Sequence, residues 1–189
     1  MEPIVIVVLV VGAAVLVPLI WAIATYNRFV SLRQHMRESW ADIDVELKRR
    51  YDLVPNLVET VKGYAAHERE TLERVVELRN KAHASHGTQA EQAVDESAML
   101  IGLKKLFAVV EAYPELRADA QFLALQKQLS LTEDRIAASR RFYNANVRDL
   151  NQLRGQFPTS LIGSTFGFEE GSYFELSSEA ERVVPKVDI

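Results

Sequence analysis

The sequence predicts an all-α fold: an N-terminal transmembrane helix continuous with an antiparallel four-helix bundle, followed by an irregular C-terminal tail. Three observations predict it. No residue from Pro3 to Tyr26 is charged, the apolar residues beyond Asn27 recur at spacings of three and four, and the composition turns to Gly, Ser and aromatics after Phe157-Pro158. A chain of 189 residues has room for one compact domain and an appendage.

The first element is the run Ile4-Val5-Ile6-Val7-Val8-Leu9-Val10-Val11 and onward to Trp21. A bilayer core about 30 Å thick needs roughly 20 such residues at about 1.5 Å each, so this segment is long enough to span. Pro18 has no amide proton to give the carbonyl of Ala14, which predicts a local bend. Trp21 and Tyr26 stand where interfacial aromatics are expected. The alternative is a cleaved signal peptide, for which Ala22-Ile23-Ala24 offers a small-x-small site. Against it, Met1-Glu2 carries no basic residue and the apolar run exceeds the roughly 7–15 residues of a signal core. Arg28, Arg33 and Arg37 follow the span and nothing basic precedes it, which predicts an N-terminus outside and a cytoplasmic domain.

The second element places Phe29, Met36, Trp40, Ile43 and Leu47 on one stripe, with Arg33 intruding. No Gly or Pro interrupts Trp21 to Arg50, so span and stripe are expected to form one stiff helix. Around Arg49 to Asn56 a tight turn is expected, with Asp52 capping the next helix and Pro55 in its first turn. One long helix kinked at Pro55 is the alternative. The following helix carries Val54, Val58, Val61, Ala65, Leu72, Val75 and Ala82, with Glu68 and Arg79 as polar entries, and reaches about His83.

Residues Ser85 to Glu96 lose the pattern and are expected to be an exposed loop. A third helix presents Leu100, Leu103, Phe107 and Val110, and Tyr113-Pro114 ends it. The fourth, from about Arg117 to Gln156, presents Phe122, Leu125, Leu129, Ile136, Tyr143, Leu150 and Leu153. Short connections between amphipathic helices favour an antiparallel bundle. The tail, Leu161 to Phe168 and then Gly171-Ser172-Tyr173-Phe174, has no helical period. Its aromatics are expected to pack against the bundle or a neighbouring subunit, with Val183 to Ile189 freer. The expected segmentation is a short extracytoplasmic 1–3, a span at 4–26, the bundle at 27–157 and the tail at 158–189.

Composition narrows function. Lys and Arg number 22 against 26 Asp and Glu, a net charge of -4, which argues against nucleic acid as a partner. With no cysteine there are no disulfides, thiolate metal sites or cysteine nucleophiles. His67-Glu68 opens like a zinc-protease helix, but Thr71 stands where the second ligand is needed. His83 and His86 lie at a loop edge without nearby acidic partners, which favours solvated imidazoles. Gly163-Ser164-Thr165-Phe166-Gly167 lacks the Lys and spacing of a phosphate loop and reads as a glycine-permitted turn. Asp42 and Asp44 are not on one helical face. No catalytic residue, metal ligand or cofactor is expected.

Polar residues on or beside core positions, namely Arg33, Glu68, Arg79, Arg140, Asn144 and Asn146, are expected to form internal bonds or an inter-subunit network. Asp42, Asp44, Lys48, Arg49 and Arg50 form either a solvated, self-pairing cluster or a docking surface, and the tail's Phe166, Phe168, Tyr173 and Phe174 are further candidates for contact with a partner or a second copy.

The run Trp40-Ala41-Asp42-Ile43-Asp44-Val45-Glu46-Leu47-Lys48-Arg49-Arg50, then Asp52-Leu53-Val54-Pro55-Asn56-Leu57-Val58 and Val61-Lys62-Gly63-Tyr64, resembles the LemA family. So do Tyr26-Asn27, Ala112-Tyr113-Pro114-Glu115-Leu116, Thr132-Glu133-Asp134-Arg135-Ile136-Ala137, and Arg140 with Phe142-Tyr143-Asn144. The resemblance covers nearly the whole chain. Leu150-Asn151 departs from it, since the family usually shows a second Tyr-Asn there. The resemblance implies a bacterial inner-membrane protein with one span, its N-terminus outside, a cytoplasmic helical bundle and no established enzymatic activity. It also implies association with magnetosome membrane formation in one case and with membrane metalloproteases in others. The expected function is a non-enzymatic, self-associating scaffold whose partners are membrane lipid, further copies of the chain and other membrane proteins. The alternative is an adaptor or regulator of a membrane protease or signalling enzyme.

Overall fold

The computed structural model describes residues 3–85, 87–177 and 180, which form six helices and, among those residues, no strand. They are α1 (Pro3–Tyr64), α2 (Arg69–His83), α3 (Gln89–Glu111), α4 (Pro114–Arg117), α5 (Ala120–Gly155) and α6 (Thr159–Thr165). The all-α reading holds. His86, Met1-Glu2 and the final Val183 to Ile189 lie outside the described residues.

The expected turn at Arg49 to Asn56 is absent: α1 continues through Pro55 to Tyr64. Pro55 cannot donate to the carbonyl of Tyr51 one turn back, and Arg79 of α2 supplies the missing donor, its Nε lying 3.0 Å from that oxygen. The polar entry in the second stripe is therefore what lets the proline sit inside a helix. The chain reverses at Ala65 to Glu68, where Ala65 N donates to Val61 O (2.8 Å) and Glu68 N to Ala65 O (3.0 Å). The stripe from Val54 to Ala82 crosses this reversal; its apolar members are buried, and Glu68 and Arg79 are half-buried.

The exposed loop expected at Ser85 to Glu96 shrinks to the connection before Gln89, because Thr88 and Glu91 form a capping box. Thr88 N donates to Glu91 Oε2 (2.7 Å) and Glu91 N to Thr88 Oγ1 (3.3 Å). The Thr-x-x-Glu pattern was present in the sequence, but the weak apolar period around it hid the helix start. Pro114 ends α3 as expected and opens the short α4. Asp119 then starts α5, accepting from Phe122 N at 2.8 Å.

The tail also departs from expectation, since Thr159–Thr165 is helical. Gly167, at φ +66°, ends that helix: Phe168 N donates to Gly163 O (2.9 Å) and Gly167 N to Ser164 O (3.4 Å). These two bonds are a Schellman cap, which the left-handed glycine makes possible.

Two compact units share α1 and α5. One comprises the chain up to Glu38 with Ala145–Gly171. Its apolar stretch of α1 has a mean hydropathy of 3.1 over 18 residues, none of them buried, and is long and apolar enough to cross a membrane. Beyond that stretch Phe29, Leu150, Leu153 and Phe168 form a core, with Met36 and Ile162 packed against it. Asn151 of α5 holds the incoming tail here, donating to Gly171 O (3.0 Å) and accepting from Gly171 N (2.8 Å), while Arg154 Nε donates to Phe168 O (2.8 Å). The other unit comprises Ser39–Asn144 and the residues from Ser172 on. Its four long helices run alternately: Tyr64 of α1 bonds Asp119 before α5 (3.1 Å) and Trp40 meets Tyr143, while Gly102 of α3 packs on Leu78 and Val75 of α2.

Arg79→Met leaves the Tyr51 carbonyl without a donor and is expected to lower stability by about 1–3 kcal/mol. Pro55→Ala restores an amide there, so Arg79→Met in a Pro55→Ala background is expected to cost measurably less. Thermal unfolding of the four proteins in detergent, followed by circular dichroism, checks this.

Candidate functional site

The most concentrated set of ionisable groups lies inside the second unit. Arg50 follows Leu47 and Ile43 by about one and two turns, so it occupies a core position of α1. It is 1% exposed, and Glu96 of α3 and Glu133 of α5 are 0% and 8% exposed. Its Nη1 donates to both oxygens of Glu133, at 2.8 and 2.9 Å, and its Nη2 to Glu96. Tyr51 turns its hydroxyl to the other oxygen of Glu96, with the Ala82 carbonyl of α2 3.4 Å away. All four long helices thus meet around one guanidinium. Arg50 Nε has no partner among the described residues.

Burial opposes the charge on Arg50, but Glu133 and then Glu96 outweigh it, and its pKa is raised. Burial, followed by the carboxylate of Glu96, holds the Tyr51 phenol well above its ordinary value. Such a set fixes helices to one another, with Arg50, Glu96 and Glu133 facing one another in the interior.

Outside this interior the charges of α1 pair locally. Lys48 reaches Asp44 at 2.7 Å and Arg49 reaches Glu46 at 3.1 Å, while Asp42 is exposed. The five charged candidates therefore do not form one surface. Arg50 belongs to the interior, a correction to the exposed cluster expected from the run of charges; the core register at Ile43, Leu47 and Arg50 was the available signal. Lys48, Asp44 and Tyr51 edge a cleft of about 450 Å³ with His83, whose ring meets Tyr51 edge-on at 5.2 Å.

The tail candidates divide in the same way. Phe174 is fully buried against Trp40 at 5.3 Å, and Phe168 stacks on Phe29 at 4.7 Å under the guanidinium of Arg33. Both pack within their own chain, so neither is open to a partner. Phe166 and Tyr173 remain exposed, at 58% and 38%. Asn144 clamps Phe174, donating to its carbonyl and accepting from its amide, both at 3.0 Å. Tyr143 donates to Ser172 O at 2.8 Å, and burial pushes its pKa up to about 12. Sequence reasoning assigned Glu96 to a loop, and it noted Glu133 and Asn151 only within motifs, without their bonds to Arg50 and Gly171. No group of three or more His, Asp or Glu positioned for a metal occurs among the described residues.

A family model described as the LemA family matches residues 39–189. Magnetosome protein MamQ 2 of Paramagnetospirillum magneticum is 25% identical over 175 aligned residues, covering 79% of this chain and 64% of the relative. Magnetosome protein MamQ of Magnetospirillum gryphiswaldense is 24% identical over 174 residues with the same coverage. Protein LemA of Metamycoplasma hominis is 24% identical over 158 residues, covering 83% of this chain and 71% of the relative. The chain therefore spans 64% of the length of these magnetosome relatives. None of the names denotes an enzymatic activity. With the apolar stretch of α1, these similarities support a membrane-associated helical protein.

The buried phenols give the second unit a definite alkaline limit. Tyr143 has its pKa raised from 10.0 to about 12 in the folded protein. The unfolded chain therefore loses this proton first, and stability falls as pH rises from about 10 towards 12, being fully present below that window. Tyr143→Phe is expected to lower stability at neutral pH through loss of the Ser172 bond, yet to flatten the decline across the window. Melting temperatures of both proteins across that range check it.

Proposed function

The chain belongs to the LemA family, and from that premise we propose that it is a non-enzymatic, membrane-anchored helical scaffold that self-associates and organises membrane proteins around it. The observation that carries this reading is the closed set at Arg50. The buried acids of the bundle, Glu96 and Glu133, are committed to one guanidinium, and the Tyr51 phenol to Glu96, and so hold helices together. What the bundle leaves outward is surface. Val45, Val94, Leu131 and Phe142 are each at least half exposed, and such side chains are covered at modest cost by another protein. Two of the relatives are named as magnetosome proteins, which favours a role at a membrane over one in solution.

The anchor is the segment Ile4 to Tyr26 at the start of α1, with its N-terminus outside the cell membrane of a bacterium and the bundle in the cytoplasm. Arg28, Arg33 and Arg37 support this orientation: all three are exposed just beyond the apolar stretch, where cytoplasmic basic residues concentrate. The competing reading, an adaptor docking a membrane protease or signalling enzyme through Asp42, Asp44, Lys48, Arg49 and Arg50, loses one of these charged residues because Arg50 is interior. Charge reversal at Arg50 would disrupt the bundle before it disrupted docking.

In mild detergent the full-length protein is expected to have a mass of more than one chain, persisting on dilution through the micromolar range. Light scattering behind a sizing column measures it. A strictly monomeric protein across that range contradicts self-association, and stoichiometric co-purification of a protease with a monomer favours the adaptor.

A further inference from the structure

The segment Phe157 to Phe166, around α6, carries its own unpartnered apolar surface. Phe157 is 82% exposed, Leu161 57% and Phe166 58%. This is a large apolar exposure for so short a stretch, and its position says what covers it. The opposite side of α6 is pressed against α1: a Cβ at Gly163 would lie 3.1 Å from Cζ of Phe29, and Ile162 packs into the core around Phe29. Leu161 precedes Gly163 by two residues, about 200° around the helix, so it faces away from α1. Phe166 meets Tyr26 edge-on, with ring centroids 4.9 Å apart. Tyr26 itself closes the apolar stretch that begins at Pro3, and it lies within about one helical turn of where a 30 Å hydrocarbon core ends. Phe166 is thereby held at the level of the lipid headgroups.

The polar groups of α6 suit the same place. The hydroxyl of Ser164 donates to Ser160 O at 2.9 Å and that of Thr159 to Gln156 O at 2.9 Å. They satisfy their own backbone and need no water on the outer side. Exposed Phe and Leu beside hydroxyls bonded to their own backbone is a composition that lies well at an interface.

We propose that Phe157, Leu161 and Phe166 form a second membrane contact, a lipid-surface foot that inserts into the headgroup region beside the span. It rests on the reading that the start of α1 crosses a bilayer. The occupant is lipid, because the patch continues the apolar surface of the span through Tyr26. The foot makes the membrane exit of α1 a two-point attachment within this unit.

The chain has no cysteine, so single substitutions give unique spin-label sites. Four full-length variants, Val10→Cys, Phe157→Cys, Leu161→Cys and Arg37→Cys, are labelled and reconstituted in vesicles of equal parts phosphatidylcholine and phosphatidylglycerol. Collision rates with oxygen and with a water-soluble nickel chelate then report depth. Val10→Cys tests the span, and Arg37→Cys, roughly 16 Å along α1 from Tyr26 at 1.5 Å per residue, is the aqueous reference. The expected result is a deep label at Val10→Cys, and labels at Phe157→Cys and Leu161→Cys within about 5–10 Å of the headgroup boundary. At those two sites nickel collisions should be several-fold below the Arg37→Cys reference. A deep Val10→Cys with nickel exposure at Phe157→Cys and Leu161→Cys equal to the reference overturns the foot while leaving the span. Shielding from both collision agents that disappears on dilution with lipid shows a second copy on the patch, and also overturns it. A water-exposed Val10→Cys removes the span, and the foot with it.

Discussion

One buried guanidinium organises the helical bundle. Arg50 is shielded from bulk solvent, and a charge so placed persists only if opposite charges reach it with good geometry. Glu133 comes from α5 and Glu96 from α3, and Tyr51, next along α1, carries the connection to α2 through Glu96 and the Ala82 carbonyl. Burial of apolar side chains such as Ile43, Leu47, Val54, Leu103 and Ile136 supplies most of the stabilisation, but apolar packing tolerates sliding of one helix along another. The fork of a guanidinium does not. Because Glu133 engages through both of its oxygens, a shift of α5 by one turn would leave the charge on Arg50 poorly compensated.

The same economy of backbone satisfaction recurs. Pro55 removes an amide from α1, and Arg79 covers the exposed carbonyl. The extended stretch after α6 has no strand to pair with, so asparagines of α5 pair with it as a neighbouring strand would. Asn144 does so with Phe174 in one unit, and Asn151 with Gly171 in the other. These bonds and the left-handed Gly167 direct Phe168 and Phe174 inward, although the tail has no periodicity of its own.

Features with a period were legible in the sequence. The apolar stretch at the start of α1, the stripe of α1 from Phe29 to Leu47, and the buried sides of α2 and α5 follow from apolar spacing alone. What escaped depends on partners distant in the chain. Pro55 reads as a helix start until Arg79 is known to lie against Tyr51. Glu96 reads as loop because α3 is almost evenly apolar, and no local rule pairs it with a residue 46 positions earlier. The departure at Leu150-Asn151 was legible as a departure, but the role of Asn151 follows from its distance to Gly171. The candidate site inherited these errors: a run of charges looked like surface, and one of its members is the centre of the core.

The buried ionisable groups Arg50, Glu96 and Glu133 serve the architecture of the bundle in this member of the LemA family. The central claim is that Arg50, Glu96 and Glu133 act as one unit. A double-mutant cycle between Arg50→Met and the paired change Glu96→Gln with Glu133→Gln, read from unfolding free energies, tests it most directly. Each side of the cycle is expected to be destabilising by about 3–5 kcal/mol and the combined variant to fall short of the sum by at least about 2 kcal/mol, since no uncompensated charge remains. Costs that add within about 0.5 kcal/mol would contradict it.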